Sequence, residues 1–220
     1  MSFIQQVWTL LKKEITLEWR QKYAISGILL YVFSTVFVIY TAFIGQISPM
    51  TWNVLFWIVM LFAAVNAVAK SFLQESGNRQ LYYYQITDPI AVLLSKILYN
   101  TGLLIVIGGL AYLAFSVLAS NPVEDYWLFI LVILLGSVGF AVTLTFISAI
   151  SAKANNSASL MAILSFPLIL PIILTLIKIS TTALGFSEDT STSTDIIVLV
   201  AIDSLLIGLG LILFPFLWKD

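Results

Sequence analysis

Between Ala24 and Ile44 the chain carries no charged residue, and about 21 helical residues rising 1.5 Å each cross the roughly 30 Å of hydrocarbon in a bilayer. A stretch of that length and apolarity has no water to satisfy its backbone, so it must be a helix. Five similar stretches follow: Thr51 to Ala69, Ile97 to Ala119, Trp127 to Ile150, Leu160 to Ile177 and Ile196 to Trp218. The spacing predicts an all-α, polytopic membrane protein, with six transmembrane helices in one domain over residues 1–220. Hydrophobic residues make up 60% of the 220 and charged residues 10%, against roughly a quarter charged in an ordinary soluble domain.

The charges that remain orient the chain. With the N-terminus in the cytoplasm, Lys12, Lys13, Arg20, Lys22, Lys70, Arg79, Lys96, Lys153 and Lys219 lie inside, leaving only Lys178 of the ten basic residues outside. Both termini are therefore expected on the cytoplasmic face of a cell inner membrane. A formal net charge of −1 gives no basic face for nucleic acid, which is set aside as a partner. The chain has no histidine and no cysteine, so it lacks the usual haem ligands and zinc ligands and has no disulfide framework.

Residues 3–20 form a shorter, more charged segment. At 100° per residue Ile4, Val7, Trp8, Leu11, Ile15 and Trp19 share one face, and Gln5, Gln6, Thr9, Lys13, Thr16 and Arg20 share the opposite one. Too charged to span, this helix is expected to lie in the headgroup plane, with its basic residues near anionic membrane lipid. A signal peptide fits poorly, because the short apolar core and small-residue cleavage site are missing. Glu18 falls near the edge of the apolar side, and the pattern gives no account of it.

The longest charged interval is the loop at residues 70–96, with Glu75, Arg79, Asp88 and Lys96. Each charge at bilayer centre costs roughly 3 kcal/mol, so the interval belongs in water or at the headgroups. Asp88 followed by Pro89 predicts a helix start that runs on into the third span. Upstream, Phe72, Leu73, Glu75, Ser76 and Arg79 read as a short separate helix ending near Gly77 and Asn78, followed by Tyr82, Tyr83 and Tyr84 at headgroup level. Two readings stand: a re-entry elbow with aromatic anchors, or short coupling helices that dock a cytoplasmic partner.

Pro167 and Pro171 each remove a backbone donor from the fifth span, which predicts a bend that is either a static kink or a moving part. Gly102, Gly108, Gly109, Gly136 and Gly139 are expected to let neighbouring helices approach closely. Asp203 is the one carboxylate well inside a span, about seven residues or roughly 10 Å from its outer start. It either meets a functional need for charge in the membrane or reaches outward to the interface.

The loop pattern E-x-G-x-x-x-x-YYY-x-x-x-x-P-x-A-x-x-x-x-K-x-x-x-N, carried by Glu75, Gly77, Tyr82, Tyr83, Tyr84, Pro89, Ala91, Lys96 and Asn100, resembles the haem exporter protein B family. That family is the permease of the cytochrome c maturation ABC transporter. The fifth-span stretch from Leu164 to Pro171 is similar to the family's proline-paired signature, and the resemblance covers essentially the whole chain. It implies an ABC-2-like permease that is no enzyme, pairs with an ABC ATP-binding subunit, and assembles with cytochrome c maturation membrane proteins as a homo-oligomer within the complex. The docking loop would then comprise Glu75, Gly77, Arg79, Tyr82, Tyr83, Tyr84, Pro89 and Lys96. No Walker A loop is present, so ATP belongs on the partner subunit. No cofactor is expected on this chain with its ligand set, and haem is expected to reach it through a partner. The alternatives are an ABC-2-type permease exporting a lipid, drug or polysaccharide, and an intramembrane enzyme. The enzyme finds no support, because no paired carboxylates or Ser/His dyad appear inside the spans.

Overall fold

The computed structural model describes residues 2–20, 22–43, 47–68, 70–73, 87–152, 157–186 and 192–219. Among them run eight helices: α1 (Phe3–Arg20), α2 (Lys22–Phe43), α3 (Pro49–Val68), α4 (Lys70–Leu73), α5 (Pro89–Leu118), α6 (Tyr126–Ala152), α7 (Ser157–Ala183) and α8 (Thr192–Lys219). Six of them, α2, α3, α5, α6, α7 and α8, are long and apolar enough to cross a bilayer. The all-α, multi-pass membrane architecture is thus present, with α1 as a separate amphipathic helix ahead of the spans.

Local chemistry explains most boundaries. Asp88 caps α5, its Oδ1 accepting from the Ile90 N–H at 2.9 Å, and Pro89 occupies the first turn where no donor is needed. At 30 residues α5 is about 45 Å long, more than the roughly 30 Å of hydrocarbon requires. The fifth span extends further than its apolar stretch suggests: α7 continues through Lys178 to Ala183, and the loop expected over 178–195 shrinks to the residues between Ala183 and Thr192. Ser180 and Thr181 donate back to the carbonyls of Leu176 (2.7 Å) and Ile177 (2.8 Å), which hides their hydroxyls inside the helix. The helix then ends in a Schellman motif. Gly185 adopts φ 75°, its N–H donates to Thr182 O, and the Phe186 N–H reaches back to Thr181 O. The carbonyl of Ala183 accepts from the Glu124 and Asp125 N–H groups, tying the α5–α6 loop to the C-terminal end of α7. Lys178 Nζ meets Asp195 Oδ1 at 2.9 Å and links α7 to α8 at the same surface.

The bundle is built around α6. Its span is 72% buried, against 11% for α2 and 22% for α8, and it packs on α3, α4, α5, α7 and α8. Glycine makes this possible at three places, the first being Gly108 of α5, where a Cβ would lie 2.9 Å from the Ile133 side chain of α6. A Cβ on Gly136 would lie 2.9 Å from the Trp57 ring, so the bare backbone admits that indole, whose Nε1 donates to Ser180 Oγ at 2.8 Å. A Cβ on Gly139 would lie 2.6 Å from Asp203 Oδ1. Gly102 and Gly109, expected at close contacts, face open space instead. Toward the end of the bundle where α3 begins, Trp52, Phe56, Phe115 and Phe129 form an aromatic core, with Trp52 stacked on Phe56 at 5.6 Å between centroids.

Candidate functional site

The polar side chains converge at the end of the bundle where α1, α4, α5 and α6 meet. Lys96, two turns into α5, is 1% exposed, and its ammonium donates to the Ser71 carbonyl at 2.7 Å and to Glu14 Oε1 at 3.3 Å. The same ammonium sits 4.9 Å from the centre of the Phe72 ring. One turn further along α5, Asn100 Nδ2 donates to Thr145 Oγ1 of α6 (2.8 Å) and to Ser71 Oγ (3.2 Å). The Phe72 N–H donates to Ser148 Oγ, and the Phe72 ring packs against Phe214 of α8 at 5.5 Å. The four residues of α4 are thereby held by α5, α6 and α8. A buried ammonium with a carboxylate and a carbonyl as acceptors is compensated, whereas removing either acceptor would strand charge in a low-dielectric site.

This placement corrects one expectation. The sequence places Lys96 in the docking loop, but its side chain turns inward, because the first turns of α5 pack against α1 and the ammonium reaches Glu14 of α1 and the Ser71 carbonyl of α4. Pro89 does stand at the helix start as anticipated. Glu75, Gly77, Arg79, Tyr82, Tyr83 and Tyr84 lie outside the described residues, as does the helix read through Glu75 to Arg79 beyond Leu73.

The facing of α1 also differs from the periodicity. Ile4, Trp8 and Ile15 are exposed to the surroundings as an interfacial helix requires, but the line turned toward the bundle runs through Val7, Leu10 (buried), Leu11 and Glu14. Glu14 was not singled out in the sequence. Its signal was there: Glu14 and Glu18 project within about 40° of Val7 on the helical wheel, and acids on an apolar face call for a buried cation.

In the membrane, Asp203 of α8 is 4% exposed and does not reach the interface. Both carboxylate oxygens lack a hydrogen-bond partner among the described residues, and one rests against Gly139 of α6. Thr143 Oγ1, one turn along α6 on the same face, is likewise buried without a partner. In α7 the helix is unbroken across Pro167 and Pro171, and both side chains point away from the bundle.

A helical membrane chain with a loop rooted in such a cluster fits several transporters; the comparison with family models decides among them. Residues 5–216 match the CcmB protein family. The chain belongs to the CcmB family. It is therefore a membrane component of the haem exporter ABC system of cytochrome c maturation, a transporter subunit rather than an enzyme, and a partner of an ABC ATP-binding subunit. No curated protein matches the chain. In CcmB terms, the Lys96 cluster lies at the root of the loop that separates the second and third spans.

Proposed function

We propose that the chain transmits work from ATP hydrolysis on a separate subunit to a partner that holds haem during cytochrome c maturation. The observation that carries this reading is the CcmB match across residues 5–216, nearly the whole chain. Docking uses the loop after α4, with Glu75, Gly77, Arg79, Tyr82, Tyr83, Tyr84 and Pro89 at the contact and Lys96 bracing its root from behind. Nine of the ten basic residues favour a loop, N-terminus and C-terminus in the cytoplasm of a cell with this protein in its inner membrane. Haem is the cargo of the system. A chain without histidine or cysteine has no usual ligand for the iron, which supports haem being held by a partner, with release of a haem-loaded chaperone as the driven step. Copies of the chain associate within the complex.

The test is a mild-detergent purification of the tagged chain, with mass spectrometry of its partners, native mass of the complex and an absorption scan for haem. Recovery of an ATP-binding subunit with cytochrome c maturation proteins, and haem that follows one of those proteins, is the expected result. An ATP-binding subunit without them would point to an ABC-2-type exporter of a lipid, drug or polysaccharide. Absence of any ATPase would overturn the proposal.

A further inference from the structure

Beneath α1 lies an apolar groove of about 790 Å³, a size within the roughly 300 to 1,000 Å³ of small-ligand sites. Trp8 and Leu11 of α1 cover it, and Leu94 and Leu98 of α5, Val142 of α6 and Ile207 of α8 form its walls and floor. Apart from Thr101 and the Trp8 indole, every lining side chain is hydrocarbon. The depth of the groove is that of one leaflet. Val142 lies ten residues, about 15 Å, from the Ala152 end of α6, and Ile207 lies twelve residues, about 18 Å, from the Lys219 end of α8. Bilayer hydrocarbon is roughly 30 Å thick, so a groove that begins under an interfacial helix and stops at that depth has the length of an acyl chain and is too short for a partner helix crossing the whole membrane. A charge stands beside it. Lys13 is paired with Glu14 at 3.3 Å, whereas Lys12 is exposed and its ammonium lies 5.6 Å from the centre of the Trp8 ring. A cation held over a ring face keeps its N–H donors for an anion.

We propose that this groove seats one acyl chain of an anionic phospholipid, whose phosphate meets Lys12 at the headgroup level. The chain fills the space between α1 and the spans, so that the lipid completes the apolar packing beneath the interfacial helix. The phosphate supplies the negative charge that the exposed ammonium lacks, and the Trp8 indole separates the two environments with its ring toward the chain and its polar edge at the interface.

The test uses the tagged full chain, purified with its partners in neutral detergent, and phosphatidylglycerol or phosphatidylcholine carrying a photoreactive diazirine in one acyl chain. Cross-links mapped by mass spectrometry should concentrate on Leu94, Leu98, Val142 and Ile207, and unlabelled phosphatidylglycerol should compete for them better than phosphatidylcholine does. Lys12→Gln leaves the groove lining intact and should weaken phosphatidylglycerol binding about fivefold, the contribution of one basic side chain near an anionic surface, while phosphatidylcholine is unaffected. Leu98→Trp, at an exposed position on α5, should fill the groove and remove the cross-links of both lipids. If that variant does not fold, Leu94→Phe carries the comparison. Cross-links spread evenly over lipid-facing residues such as Val117 and Ile163 would mark an unselective lipid shell and overturn the proposal. It is equally overturned by equal binding of the two lipids, or by a partner polypeptide cross-linking to a photoreactive residue placed at Leu98 in the complex.

Discussion

At the scale of single residues, Asp203 and Gly139 make the sharpest pair. A carboxyl with no hydrogen-bond partner among the described residues contributes no bond that truncation could lose. Asp203→Ala should therefore leave stability against unfolding in mixed micelles unchanged or slightly raised, unlike an ordinary core truncation, which costs about 2 to 5 kcal/mol. If cytochrome c yield falls in that variant while stability holds, the carboxyl serves function. Gly139→Ala should cost about 1 to 3 kcal/mol by overpacking, since its Cβ would lie 2.6 Å from Asp203 Oδ1, and most of that cost should vanish in the Asp203→Ala background. The sequence announced Asp203 as exceptional simply because it is a charge within a span. It could not announce Gly139 as its seat, because which glycine meets which side chain is set by the rotation of two helices 64 residues apart in the chain. Lys96 shows the same limit. Its charge suggested water, and only the arrival of Glu14 and Ser71 from distant segments makes its burial affordable.

At the scale of elements, the start of α5 was fully legible, because Asp88 and Pro89 act locally on the helix they begin. The end of α7 was not. Hydropathy falls at Lys178, but Ser180 and Thr181 satisfy their hydroxyls against the preceding turn, so the helix continues two more turns. The proline pair in α7 yields a test of rigidity. Replacing both Pro167 and Pro171 by alanine adds two backbone donors and removes no packing, since both side chains point away from the bundle. The unfolding midpoint should rise, as an interior proline costs about 3 kcal/mol in an ordinary helix. Cytochrome c yield should fall if the helix flexes in each cycle; an unchanged yield would mark the prolines as static.

At the scale of the whole molecule, six spans and one fold class followed from apolar run lengths alone, because the bilayer imposes them on any chain. The arrangement of those spans did not, since lipid-facing and protein-facing apolar residues look alike in sequence. Two predictions belong here. Charge reversal of both Glu75 and Arg79 should leave the protein inserted while the ATP-binding subunit no longer co-purifies; normal recovery of that subunit would remove the loop from the docking surface. Single cysteines at Ser2 and at Trp127 should react with an impermeant maleimide from opposite sides of the membrane, Ser2→Cys only once the cytoplasmic face is opened. The central position of α6 also bears on how the protein is made. It is the fourth span to leave the ribosome, yet α3, α4 and α5, all synthesised earlier, pack against it. Until residue 152 has emerged, the earlier helices can pack only on one another, α2, α3 and α5 pairwise and α1 on α5, so the nascent chain holds a partial bundle whose inner faces are covered only when its centrepiece arrives.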